Sequence, residues 1–341
     1  MICSSMIKQK DQLINDLYLL LTTERSSDNR FYYNKSVSFG SEHEFSNICK
    51  GKNLEILDGG MFLFRRKPEY YAIYVTISSQ DKNDYSLFYN QLLKADRKNL
   101  RHVYFGQIKE WKEDAPFTVN SGPELKLDIS EPKKCPATNP EDRKKQKKEE
   151  VRISTPEIEF FEYDGNSWNS ITIDKIRAHF DTSSTQVAAR KQSFLGYLNK
   201  YPEDYLRDLY CNRFFWTIQL AGVSKGMSDI DMIVLNGENY ELVEVKNKTP
   251  VFDKKYPNDL KHARFGWDFR RIAWYLYLKQ KTGLNIQYAV ARIDNRIDRN
   301  ILNWKFMPID HWCLCAEWGS DMQGNQMAPY TEFSDTFPIT Q

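Results

Sequence analysis

Two aspartates, a glutamate and a lysine stand close together in the stretch from Gly226 to Lys248, GMSDIDMIVLNGENYELVEVKNK. Asp229 and Asp231 open one alternating run that ends at Leu235, and Glu244 and Lys246 close another that begins at Tyr240. Asn236-Gly237-Glu238-Asn239 lies between them, and Asn-Gly is a strong hairpin signal because both residues tolerate positive φ. Side chains alternate along a strand, so the two aspartates share one side of the first strand, and Glu244 and Lys246 share one side of the second. Carboxylates placed this way hold hard divalent cations, and an ammonium beside them adds positive charge where negative charge gathers. The plain structural alternative is a surface ion pair between Glu244 and Lys246, with Asp229 capping a turn. That alternative leaves two charges at the end of an apolar run without a reason.

The elements that must position these residues can be read on either side of them. Residues 174–212 are helical in pattern, and within them Glu203, Leu206 and Tyr210 share one face, while Asp204, Arg207 and Asp208 point elsewhere. Phe214 to Ala221 reads as a strand. After the hairpin, a helix is expected from about Asn258 to Lys281, then a strand at Ile286 to Ile293 and a last one near Lys305 to Ile309.

This order, helix, three strands, helix, strand, with Ser228-Asp229 opening the second strand and Glu244-Val245-Lys246 in the third, resembles the PD-(D/E)XK nuclease superfamily. The resemblance covers roughly residues 195–312, and serine stands where the family name has proline. It implies a restriction-endonuclease-like mixed sheet flanked by helices in the C-terminal half, and hydrolysis of phosphodiester bonds in nucleic acid, DNA more than RNA. Asp229 and Glu244 look like the carboxylates that bind Mg2+ or Mn2+, with Val245, next to Glu244, in the metal shell. Lys246 looks like the lysine that orients or helps deprotonate the attacking water. Glu203 is the expected upstream helix acid, with Asp204 and Asp208 as competitors.

Two other chemistries compete. Ser228-Asp229-Ile230-Asp231 also resembles the paired acids of polymerase-β-type nucleotidyltransferases. That reading leaves Glu244 and Lys246 idle, and Gly222-Val223-Ser224 lies too close to the acids to form the helix those enzymes place before them. The other is a non-catalytic nucleic-acid-binding protein that keeps a nuclease-like fold. Lys261, Arg264 and Arg271 are expected to hold the phosphate backbone, with Arg264, Asp268 and Arg271 spaced along one helix face. His311, Cys313 and Cys315 alternate, so a strand would put all three on one side in a zinc-like set; with no CxxC pair, a buried strand end is the better reading.

The chain as a whole bounds these readings. Its 341 residues carry a net charge of +2, so a polyanion must be met by a local patch rather than by a globally basic surface. With 20 Tyr, 20 Phe and 8 Trp it can pack a sizeable core, and its six cysteines show no disulfide framework, which suits a reducing compartment. Lys8, Lys10, Asp11 and Asp16 interrupt the first apolar segment, and no run reaches membrane-spanning length. The expectation is therefore a soluble protein with no membrane partner, cytoplasmic, or nuclear if its host has a nucleus. A charged stretch with Pro132, Pro136 and Pro140 and the run from Arg143 to Glu150 reads as a linker. It divides an N-terminal α/β domain, residues 1–130, from a linker, 131–152, and a nuclease-like domain, 153–341. The first domain is assigned recognition or assembly, including contact with a second copy or another protein. Its order of strands, helix and strand from Asp58 onward matches the hairpin region in length, so residues 30–110 could be a degenerate nuclease-like unit that has Tyr74-Val75-Thr76 in place of Glu-X-Lys.

Overall fold

The computed structural model describes residues 10–17, 20, 29–65, 69–121, 147–180, 188–189, 195–220, 227–236, 239–252, 255, 259, 263–267, 269–294, 300–320 and 327–332. The elements are α1 (Asn29–Gly51), β1 (Glu55–Arg65), β2 (Tyr71–Ser78), α2 (Ser86–Ala95), β3 (Leu100–Ser121), β4 (Lys147–Tyr163) and β5 (Trp168–Ile171). They continue with α3 (Ile173–Arg177), β6 (Ala188–Ala189), α4 (Glu203–Phe214), β7 (Met227–Asn236), β8 (Asn239–Lys248) and β9 (Arg264–Gly266). The last are α5 (Phe269–Thr282), β10 (Asn285–Ile293), β11 (Ile301–Pro308), α6 (Ile309–Cys315), β12 (Glu317–Ser320) and β13 (Met327–Glu332).

Ten strands form one mixed sheet in the order β11-β10-β8-β7-β1-β2-β3-β4-β5, with β6 beside β3; β12, β13 and β9 form a small second sheet. The stretches expected as two domains meet inside the large sheet, where β1 and β7 pair antiparallel from Glu55↔Leu235 to Leu63↔Met227. Gly59 stands at the centre of that seam. A β-carbon there would lie 1.8 Å from the Ile230 carbonyl oxygen, so only glycine lets the two strands approach so closely.

Every residue of β2, YAIYVTIS, is buried, which is the pattern of a strand covered on both faces. One face carries α2 and α5 over a single core that draws Phe62, Tyr74 and Phe88 from the first half and Ile233, Leu242 and Tyr275 from the second. The opposite face holds two clusters. Phe45 and Cys49 of α1, the helix that leads into β1, pack on Val234, Val243 and Ala289 of the second half. Phe215 and Leu220, which follow α4 and lead toward β7, pack on Ile73, Val75 and Tyr104 of the first. Burying a side chain such as Phe45 is worth about 1.5–3 kcal/mol, so these helices tie the halves together. Asp16, in the N-terminal helical residues, adds a polar tie, accepting from Ser154 N at 2.8 Å and Ser154 Oγ at 2.7 Å.

Several local expectations differ from this fold. Of the run Phe214 to Ala221 expected as a strand, the described residues are helical through Gln219: α4 runs to Phe214 and continues as a π-helical turn, Phe215–Gln219, while Ala221 lies outside the described residues. A short continuous apolar run has no period of its own, so it cannot separate a buried strand from a buried helix end. The place beside β7 is filled instead by β1. The helix expected from Asn258 begins at Phe269. His311, Cys313 and Cys315 are exposed on helix α6, where residues two apart point about 200° apart and share no face. The end of the expected linker, from Lys147 on, belongs to β4, while residues 131–146 lie outside the described residues. Helix α1 was not anticipated, because its apolar residues lack a clean three-to-four spacing.

Candidate active site

The hairpin expected around Asn236-Gly237 forms, with β7 and β8 paired from Asn236↔Asn239 to Met232↔Val243. Both strands continue past that last pair, and there the ladder gives way to side chains. Val245 N–H donates to Asp231 Oδ2 at 2.7 Å, so a carboxylate takes the position of a strand partner. Lys246 reaches back along the gap. Its Nζ lies 2.9 Å from Asp231 Oδ2, 2.8 Å from Glu244 Oε1 and 3.0 Å from the Val245 carbonyl oxygen. The Glu244–Lys246 pair of the plain reading therefore exists, but it is an interior pair, with Glu244 only 1 % exposed.

Helix α5 closes the site from one face. Arg271 places Nη2 2.8 Å from Asp229 Oδ1 and also bonds Glu244 Oε1 through Nη1. One turn on, the Tyr275 hydroxyl lies 2.6 Å from Glu244 Oε2 and 2.8 Å from the Asp229 carbonyl oxygen, fixing the carboxyl plane of Glu244. Arg271 was expected on a basic stripe facing a phosphate backbone; here it is an internal counter-ion. Arg264 is not on that helix but in β9, and its backbone bridges Val251. Lys261 and Asp268 lie outside the described residues.

Glu203, expected as the upstream helix acid, sits at the start of α4 and pairs with Arg207 at 2.8 Å. Glu42 of α1 instead stands within electrostatic reach of Asp231, Asp229, Lys246 and Arg213. Burial, then repulsion from Asp231, pushes its pKa up to about 8. The same two causes push Glu244 up to about 7. Burial works against a charged Lys246, but Asp231, Glu244 and Asp229 outweigh it and hold the ammonium well above the ordinary lysine value. No sequence signal near the hairpin pointed to Glu42, because α1 reaches the site only through the exchange of helices between the halves.

The donor chemistry suits a hard divalent cation. Asp229, Glu244 and the Val245 carbonyl offer only oxygens, and Asp231 and Glu42 crowd further carboxyls against them, a repulsion that a cation relieves. In the arrangement described, Arg271 and Lys246 satisfy those oxygens, and among the described residues no three His, Cys, Asp or Glu side chains surround one point. A cation held by Asp229 Oδ1 and Glu244 Oε1 would compete with the Arg271 guanidinium for those oxygens.

No family model and no curated protein sequence matches the chain. Among solved structures, it is similar to Hjc, a Holliday junction resolvase from the archaeal hyperthermophile Archaeoglobus fulgidus, at 13% identity and a TM-score of 0.19. The match covers 30% of this chain and 61% of the resolvase. A likeness at that level carries no functional weight, so the chemistry rests on the residues of the site. Among the described residues, no helix is long and apolar enough to cross a membrane.

Proposed function

We propose that the protein is a metal-dependent hydrolase of phosphodiester bonds in nucleic acid, with DNA favoured over RNA. The observation that carries the reading is the convergence of Asp229, Glu244 and Lys246, with Asp231 and Glu42 beside them, where β7 and β8 part. Asp229, Glu244 and the Val245 carbonyl would hold Mg2+ or Mn2+. When bound, such an ion neutralises charge on the scissile phosphate and lowers the pKa of a bound water.

The chain's own groups have separable tasks. Lys246 is held protonated by its three carboxylate neighbours, so it serves as a fixed positive charge beside the phosphate rather than as the base that takes a proton. Tyr275 orients Glu244 through its hydroxyl. Asp231 fixes Lys246 and the Val245 backbone in one stroke, which makes it a positioning residue. This also weighs against the nucleotidyltransferase reading, which needs Asp229 and Asp231 turned to one point. Here Asp231 faces Lys246 and Asp229 faces Arg271.

A second reading, a nucleic-acid binder without chemistry, is favoured by one observation: Arg271 already bridges Asp229 and Glu244, as a permanent substitute for a cation would. Incubation with plasmid, single-stranded DNA and RNA, with Mg2+, Mn2+ or EDTA, separates the two. Metal-dependent cleavage that disappears in Glu244→Gln supports the hydrolase. Retention of nucleic acid in a gel shift with no cleavage in either metal would establish the binder, and incorporation of nucleotides would establish the transferase.

A further inference from the structure

Residues 29–121 and 203–308 repeat one arrangement. In each, a helix leads to an antiparallel hairpin, β1 with β2 and β7 with β8. A helix on the shared face follows, α2 or α5, and then a strand parallel to the second strand of the hairpin, β3 on β2 and β10 on β8. Each unit ends against an antiparallel neighbour, β4 on β3 and β11 on β10. Because β1 and β7 join antiparallel, the sheet has the same order outward from their seam in both directions. The leading helices are exchanged across that seam, α1 onto the second half and the π-helical turn that continues α4 onto the first.

The polar residues repeat with the backbone. Asp58 of β1 and Asp231 of β7 flank the centre of the seam, where Asp58 opposes Met232. Asp58 accepts a hydrogen bond from Ser78 Oγ across its hairpin, and two residues further Gln80 Oε1 takes the Asp58 N–H at 2.9 Å. Asp231 has Glu244 and, two residues further, Lys246 across its own hairpin. On the exchanged helices, Asp208 stands to Asp58 as Glu42 stands to Asp231, and each acid is raised by burial and by that aspartate. Glu42 and Asp231 line the same cavity, about 540 Å³, as Asp58, Gln80 and Asp208. The first set thus keeps Asp58 and Asp208 and has Ser78 and Gln80, not the Tyr74 and Thr76 that length alone suggested, where the second has the glutamate and the lysine. With Ile56 in the place of Asp229 as well, it lacks both carboxylates assigned to the cation and the ammonium.

We propose that the chain is an intramolecular pseudo-dimer in which only the Glu244–Lys246 half is chemically competent, so that one molecule cuts one strand of a duplex and leaves the other intact. The inference rests on the hydrolase reading above. The two strands of a duplex are related by a dyad, and a protein with two-fold symmetry presents one half to each strand. With the first half unable to act, the second strand is bound and not cut.

The test is supercoiled plasmid treated with the full chain and Mg2+, at concentrations where light scattering shows monomer. Open circles should accumulate while linear DNA stays at background, and a synthetic duplex with each strand labelled should lose one label only. Linear DNA appearing as fast as supercoiled DNA is lost would overturn the inference and leave the hydrolase standing; no cleavage of any nucleic acid in Mg2+ or Mn2+ would overturn both. As a second measurement, Asp58→Asn should nick within about 3-fold of the parent rate, whereas Glu244→Gln should lose about 100-fold or more. An Asp58→Asn protein that melts like the parent yet has lost the activity would show that the first half takes part in the chemistry.

Discussion

Replacing Arg271 by alanine should bring opposite changes in two measurements. The guanidinium makes ionic hydrogen bonds to Asp229 and Glu244, and its side chain is 31% exposed. Hydrogen bonds to charged groups are worth about 1.5–3 kcal/mol each, and discounting for this exposure leaves about 2 kcal/mol for a cation to displace. Arg271→Ala removes that competition, so Mn2+ should bind about 30-fold more tightly by isothermal titration. Without metal the same variant leaves buried Glu244 short of a partner, and breaking a buried pair costs about 3 kcal/mol. Its melting temperature should therefore fall in EDTA and recover as Mn2+ saturates the site. Equal Mn2+ affinity in parent and variant, or a melting deficit that metal does not reduce, would refute the idea that Arg271 occupies the cation's place.

Three further outcomes follow from particular contacts. Lys246→Ala should lower turnover by about 100-fold or more while its circular dichroism stays that of the parent, because the lost group is a charge beside the phosphate; unchanged cleavage would remove Lys246 from the site. Asp208 has its pKa raised to about 7 by burial and by Asp58, so the folded protein holds a proton there that the unfolded chain has released. Stability from this group therefore falls as pH rises from about 4 through 7, by at most about 4 kcal/mol. Asp208→Asn should melt above the parent at pH 8, with the gap closing at pH 4, and a gap independent of pH would contradict the assignment. Gly59→Ala forces a β-carbon within 1.8 Å of the Ile230 carbonyl oxygen, beside Asp231, so it should cost about 3 kcal/mol in a urea titration and reduce cleavage as well.

Much of the local chemistry was legible in the amino-acid sequence. Asn236-Gly237 marks the turn, alternation puts Glu244 and Lys246 on one side of a strand, and the structure brings both together with Asp229 and Asp231. The strand Asn285–Ile293 also lies within a residue of where pattern places it. Signals failed where a residue's role depends on a distant part of the chain. Glu203 has the right helix and the right face, yet its neighbour is Arg207. The apolar run after Phe214 is helical because it packs on strands of the first half, which no local period records.

What the sequence alone determined is therefore the short-range geometry: turns, strand alternation and the set of charges at the end of one hairpin, all governed by interactions between residues near in the chain. What only the tertiary structure decided is which groups meet those charges. The antiparallel β1–β7 seam and the exchanged helices bring Glu42 to the hairpin acids from nearly two hundred residues away, and Arg271 arrives from α5. The physical reason is that burial of apolar faces chooses the partners of sheets and helices, and buried charges then pair with whatever that packing places beside them.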